Sequence, residues 1–239
     1  MKKILLTTLA SAALVAAVQA APTYIDFATP AGTTGTVGGN IWNNASTAST
    51  SLVDTAGTAS GTMTLAFTNA NADGTTPGFG GGAFNSGDTV GSTAPAFLMN
   101  GGTPIASAIG DGLFTNDGFG GDYATISFSG FAASTVYTFT VYGGRNDANF
   151  ANTALFQDAT GTTNIASYTN RTSATFNVTT DGAGALSFRF TEGGELASNT
   201  GSNATLSGMS IAIPEPSSFA VLLGFAGLGL ALTRRQRKA

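Results

Sequence analysis

The chain has 239 residues, with 33 Gly, only 9 Lys or Arg against 13 Asp or Glu, and neither Cys nor His. Without Cys there is no disulfide framework, thiolate metal site or Cys nucleophile; without His the commonest general base and the imidazole metal ligand are missing. Six of the nine basic residues stand at the two ends, so residues 21–212 carry three arginines against twelve carboxylates, a formal charge of −9 that repels phosphate backbones and argues against a nucleic-acid partner.

The first element is an apolar run. Lys2 and Lys3 precede an uncharged stretch over residues 4–18, which ends in Val18-Gln19-Ala20 with small residues where a signal peptidase cuts. The pattern predicts a secretory signal helix over 1–20 with cleavage between Ala20 and Ala21, since a cut after Ala21 would leave Pro22 at the scissile bond. At about 15 residues the run is short for a membrane span.

Strand signals then follow one another to residue 213. Apolar residues alternate with Thr and Ser in 62–68 (Met63, Leu65, Phe67), around Ile126 and Phe128, in 136–142 (Tyr137, Phe139, Val141) and at Leu186, Phe188 and Phe190. Shorter candidates lie at 24–27, 153–156, 174–178 and 206–213, and no run of useful length carries a helical period. Several short alternating strands bounded by turn residues predict an all-β domain over 21–212, a jelly-roll-like β-sandwich of about eight to ten strands. Residues 69–122 are rich in Gly, including Gly78, Gly80, Gly81 and Gly82, and read as long surface connections between strands.

Candidate chemistry in this domain is sparse. Asn69-x-Asn71-x-Asp73-Gly74 has the alternating oxygens of a calcium loop, but Gly80 stands where the bidentate Glu belongs, which excludes an EF-hand. No cofactor is expected; a looser structural calcium site would draw on Asp73, Asp111, Asp117 and Asp122, with solvated turn carboxylates as the plainer reading. The pairs Glu192/Glu195 and Asp147/Asp158 are the carboxylates a glycan hydrolase or lyase would need. Trp42, with Arg145, is the candidate for a sugar-binding site, and a core position is the competing role for its ring.

The last element reverses the order of the first. Pro214-Glu215-Pro216 precedes an uncharged stretch over residues 219–232, and Arg234, Arg235, Arg237 and Lys238 follow it. Residues 217–233 make a short transmembrane helix with its basic end in the cytoplasm, so the domain before it lies outside. Pro214 and Pro216 keep the preceding segment extended and open to a processing enzyme.

These last 27 residues resemble the PEP-CTERM sorting signal: a Pro-Glu-Pro motif, a Gly- and Leu-rich span and a terminal Arg cluster. The resemblance implies that 213–239 is read by an exosortase, that Pro214, Glu215 and Pro216 are the recognition motif, and that the protein joins the envelope or exopolysaccharide of a Gram-negative bacterium. Residues 127–131 and 136–145, with Trp42-Asn43-Asn44, loosely resemble bacterial extracellular jelly-roll domains of carbohydrate-binding type. The sequence therefore predicts an exported, non-enzymatic structural or adhesive surface protein, processed by signal peptidase and exosortase, held at the membrane by its C-terminal helix before processing, with extracellular polysaccharide as a partner. A carbohydrate-binding module is the alternative, and a carboxylate-dependent glycan hydrolase or lyase stands behind it.

Overall fold

The computed structural model describes residues 20–27, 35–45, 48–68, 78–80, 94–101, 103–109, 112–116, 123–143, 153–169, 171–193 and 203–212. Residues Ala21–Ala212 cluster as one compact unit, and the second unit, Met1–Ala20 with Ile213–Ala239, lies outside the described residues except for Ala20. The described chain is almost entirely β-structure.

Four strands come first: β1 (Thr23–Asp26), β2 (Thr36–Val37), β3 (Asn40–Asn44) and β4 (Ser49–Val53). The ten-residue β5 (Ala59–Thr68) precedes the short β6 (Gly78–Gly80), β7 (Met99–Asn100), β8 (Thr103–Pro104) and β9 (Gly112–Asn116). Then come β10 (Tyr123–Ser129), β11 (Val136–Tyr142), β12 (Thr153–Asp158), β13 (Asn164–Thr169), β14 (Ser173–Thr179), β15 (Leu186–Glu192), β16 (Asn203–Leu206) and β17 (Gly208–Ala212). A 3-10 turn at Ala96–Leu98 and a single helical turn at Ala106–Ile109 are the described helical elements. No helix among the described residues is long and apolar enough to cross a membrane.

Two sheets of six strands organise these elements, one in the order β14-β11-β17-β1-β3-β2 (sheet I) and the other β13-β12-β15-β10-β5-β4 (sheet II). Every pairing in them is antiparallel except β1 with β3. A three-stranded sheet, β16-β9-β6, and the β7-β8 pair complete the described strands. The run 206–213, which reads as one strand in the sequence, divides at Ser207, so that β16 and β17 belong to different sheets.

Alternation explains which faces meet. Met63, Leu65, Ile126, Phe128, Phe156, Phe188 and Phe190 in sheet II, and Ile25, Phe139, Val141 and Met209 in sheet I, are buried, while their neighbours in sequence turn outward. The two sets touch through their rings. Phe139 meets Phe188 edge-on at 5.5 Å and 88°, Phe128 lies 5.7 Å from Phe139, and Phe176 lies 5.2 Å from Phe156. Burying a side chain of this size contributes about 1.5–3 kcal/mol, and an aromatic pair about 0.5–1.5 kcal/mol more.

Sheet I is also covered on its other face. Tyr24, Trp42 and Tyr142 point away from the inter-sheet core and pack with Leu98, Ile105 and Ala108, so the segment around the 3-10 turn acts as a cover. Gly208 lies directly beneath: a Cβ there would meet Leu98 Cδ2 at 3.0 Å. Within the Gly-rich region 69–122, Phe97, Leu98, Ile105 and Ala108 thus pack as cover rather than as surface connection.

Candidate functional site

The two ends of the Ala21–Ala212 unit are built differently, and the registers show how. Thr23 of β1 pairs with Ile211 of β17, so the chain enters and leaves the unit side by side. The same end holds the short turns 54–58, 130–135, 159–163 and 180–185, as Ser129 pairs with Thr62, Phe128 with Leu186, and Val136 with Thr179.

Three of these turns share the pattern Asp-x-x-Gly, at Asp54–Gly57, Asp158–Gly161 and Asp181–Gly184. In each, the Gly N–H donates to the Asp carbonyl at 2.9, 2.9 and 3.1 Å, and the Gly adopts φ of +89°, +77° and +74°, a conformation that costs a residue with a Cβ. The Asp carboxylates close the turns. Asp54 accepts the N–H groups of Ala56 and Thr58 at 2.9 and 2.8 Å, and Asp181 those of Ala183 and Ala185 at 2.8 Å each. Asp158 accepts the Thr160 hydroxyl at 2.8 Å and the Thr162 N–H at 2.9 Å. The hydroxyl bond from Thr160, then the N–H of Thr162, hold the Asp158 carboxyl well below the usual carboxylate range. The N–H groups of Ala185 and then Ala183 lower that of Asp181. Asp158, one candidate for a catalytic pair, is therefore committed to its own turn.

The opposite end joins the longer connections. Thr68 faces Tyr123 across β5 and β10, residues 144–152 link β11 to β12, and residues 194–202 follow β15. Of the remaining acidic residues, Asp26 and Glu192 are described, and both stand at strand ends on this side. Three carboxylates at the first end are thus held by their own turns.

Of the residues singled out in the sequence, Ala20 is exposed and Ala21 partly buried immediately before β1, beside the exit of β17. Arg145, Pro214, Glu215 and Pro216 lie outside the described residues, as do Asp73, Asp111, Asp117, Asp122, Asp147 and Glu195. Glu192 ends β15, partly buried. Among the described residues no three acidic side chains converge as a metal site would require.

Trp42 requires a correction. It is only 4% exposed, its ring 5.2 Å from Tyr24 and 6.1 Å from Phe97 beneath the cover on sheet I, so it offers no open face for a sugar ring. Its Nε1 is buried without a hydrogen-bond partner among the described residues. The ring is core, and the alternation in Asn40–Asn44 explains its direction: Trp42 turns to the cover while Asn43 turns the other way. Asn43 ties the edges of the two sheets together, donating to Tyr24 O and Val53 O and accepting from Val53 N–H, each at 2.8 Å.

An accessible aromatic lies elsewhere, on the outer face of sheet II. Tyr123 carries the Arg189 guanidinium over its ring at 4.2 Å, and Arg189 Nε donates to Ala159 O at 3.0 Å. Register places Thr125 opposite Arg189, Gln157 beyond Arg189, and Thr68 and Thr191 on either side of Tyr123. Hydroxyls, an amide, a guanidinium and a phenol ring thus share one face of sheet II. The sequence shows each residue but not the juxtaposition, because β5, β10, β12 and β15 are brought together only by pairing. No family model matches this chain, and no curated protein is similar to it in sequence.

Proposed function

We propose that the chain is an exported, non-enzymatic protein of the bacterial cell surface or extracellular matrix, structural or adhesive in role, whose domain is a jelly-roll-like β-sandwich. On this reading signal peptidase cuts between Ala20 and Ala21, and an exosortase acts at Pro214-Glu215-Pro216, removing the transmembrane helix that follows. The reading rests on the signals at the two ends of the sequence. One structural observation is compatible with it: Thr23 pairs with Ile211, so the described chain enters and leaves the domain side by side.

Intact mass and cell fractionation in the native host test this, comparing the wild type with a variant in which Pro214, Glu215 and Pro216 are all replaced by Ala. The expected wild-type product begins at Ala21, lacks the span from residue 219 onward and is found at the surface, while the variant stays in the membrane. If both forms keep the span and remain in the inner membrane, the sorting reading fails.

A carbohydrate-binding role is the second reading, and the Tyr123–Arg189 surface favours it. A pyranose presents a rim of hydroxyls, which suits the guanidinium lying over the Tyr123 ring and the amide and hydroxyl groups beside it. Glycan-array binding that disappears in Tyr123→Ala supports it; an array without signal removes it.

A further inference from the structure

Arg189 is held in place without a counter-charge. Its guanidinium lies over the Tyr123 ring at 4.2 Å, and its Nε donates to Ala159 O at 3.0 Å. Gly161 borders it on another side: a Cβ there would meet Nη1 at 2.5 Å and Cζ at 3.2 Å, so the turn leaves room for the guanidinium only because it has Gly at that position. No carboxylate pairs with Arg189 among the described residues, although the domain carries twelve acidic residues against three arginines. Asp158 stands one row away, but it accepts the Thr160 hydroxyl and both the N–H and the hydroxyl of Thr162, at 2.8, 2.9 and 3.0 Å. Both Nη groups, the fork that grips a carboxylate in parallel bonds, are thus left without a partner among the described residues.

The neighbours of this fork suit a hydroxylated ligand. Thr125 stands opposite Arg189 on β10 and Gln157 opposite it on β12. Gln157 Nε2 donates to Asn164 Oδ1 at 3.0 Å, which leaves its carbonyl oxygen to accept a hydroxyl. β10 and β15 are paired on both sides, so their backbone offers nothing to a peptide and recognition falls to side chains. The other charged residues of the sheet II strands, Asp158 and Glu192, stand in rows with the buried Phe188 and Ala154, on the inner side of the alternation. Arg189 is therefore the one charge turned to this face among the described residues.

We propose that the Arg189 guanidinium binds the carboxylate of an acidic sugar, with Gln157 and Thr125 meeting hydroxyls of the same unit. The inference deepens the carbohydrate reading above and rests on it. Charge narrows the ligand further. A domain of formal charge −9 repels a polymer with a carboxylate on every sugar, while the fork attracts a single one at short range. The chemistry therefore fits a polysaccharide in which uronate residues are separated by neutral sugars. A forked, charge-assisted pair is expected to strengthen binding by about tenfold or more over the same sugar without its carboxylate.

The test applies the full-length chain in detergent to a glycan array on which each uronate-containing glycan stands beside its carboxyl-reduced counterpart, with polygalacturonate and an acidic Glu-Ser repeat peptide alongside. The expected result is binding to glycans with spaced uronates, weaker by about tenfold or more after reduction, and weaker on polygalacturonate and on the peptide. Arg189→Lys keeps the charge but not the fork and is expected to lose most of that preference, and Arg189→Gln all of it, with circular dichroism unchanged. Equal binding to acidic and reduced glycans, or a preference that survives Arg189→Gln, overturns the assignment and leaves carbohydrate binding standing. No signal on any glycan removes both. Tightest binding to polygalacturonate or to the peptide also overturns the proposal.

Discussion

Replacing Trp42 separates the two consequences of burying an indole. Trp42→Ala removes a ring that is 4% exposed and packed on Tyr24 and Phe97, and a truncation of that kind costs about 3–5 kcal/mol. Trp42→Phe keeps an aromatic ring in the slot, and its lost area of about 40 Å² corresponds to about 1 kcal/mol. The same change deletes Nε1, whose N–H is buried without a partner, and leaving a donor in that state costs about 1–3 kcal/mol. The terms oppose each other, so Trp42→Phe is expected within about 1–2 kcal/mol of the wild type, on either side. Equilibrium urea unfolding followed by far-ultraviolet circular dichroism reads both variants, because fluorescence loses its only Trp. A Trp42→Phe cost equal to that of Trp42→Ala refutes the reasoning: Nε1 then has a partner, and the indole is held by a bond rather than by packing alone.

Asn43→Ala removes three bonds joining β3 to β1 and β4 and leaves buried backbone groups unmatched, for an expected loss of about 2–4 kcal/mol in the same unfolding experiment. The carboxyls of Asp158 and Asp181 titrate below the ordinary aspartate value of about 3.9. Their contribution is therefore complete above that value and is lost as pH falls through the lower folded values. Asp158→Asn with Asp181→Asn is expected to flatten the fall in melting temperature between about pH 4 and pH 2, where the wild type declines; parallel profiles refute the turn assignment. Gly208→Val forces side-chain atoms into Leu98 and the neighbouring Phe97, and is expected to shift the Trp42 emission to the red by loosening the cover; an unmoved spectrum shows that the cover is not seated there.

The strands that can be read from the sequence are those with an apolar residue at every second position and a buried inner face, such as β5, β10, β11 and β15. β3, β4 and β13 are harder to read, because Asn, Ser and Thr occupy positions on both of their faces: in Asn-Ile-Trp-Asn-Asn the buried pair Trp42 and Asn43 turns to opposite sides of the sheet. Alternation also does not reveal that sheet I has a second covered face. That depends on Phe97, Leu98 and Ile105 returning from distant chain, and it is why the sequence, though it favours core for Trp42, leaves a sugar platform open. The Asp-x-x-Gly turns are local and could have been found, since Asp at the first position and Gly at the fourth are what such a turn demands. The Tyr123–Arg189 pair could not, as their neighbourhood exists only through register.

On the export reading proposed above, the position of β17 has a consequence for folding. It lies between β11 and β1 in sheet I, so the last described strand fills an interior slot beside the first. A chain threaded N-terminus first through a translocation pore delivers β1 at once, but must hold a gap in that sheet until nearly 190 further residues have crossed. Contacts so remote in sequence form late and slowly. On that reading sheet I cannot close while the chain is in transit, and it is completed only once residues 208–212 have crossed.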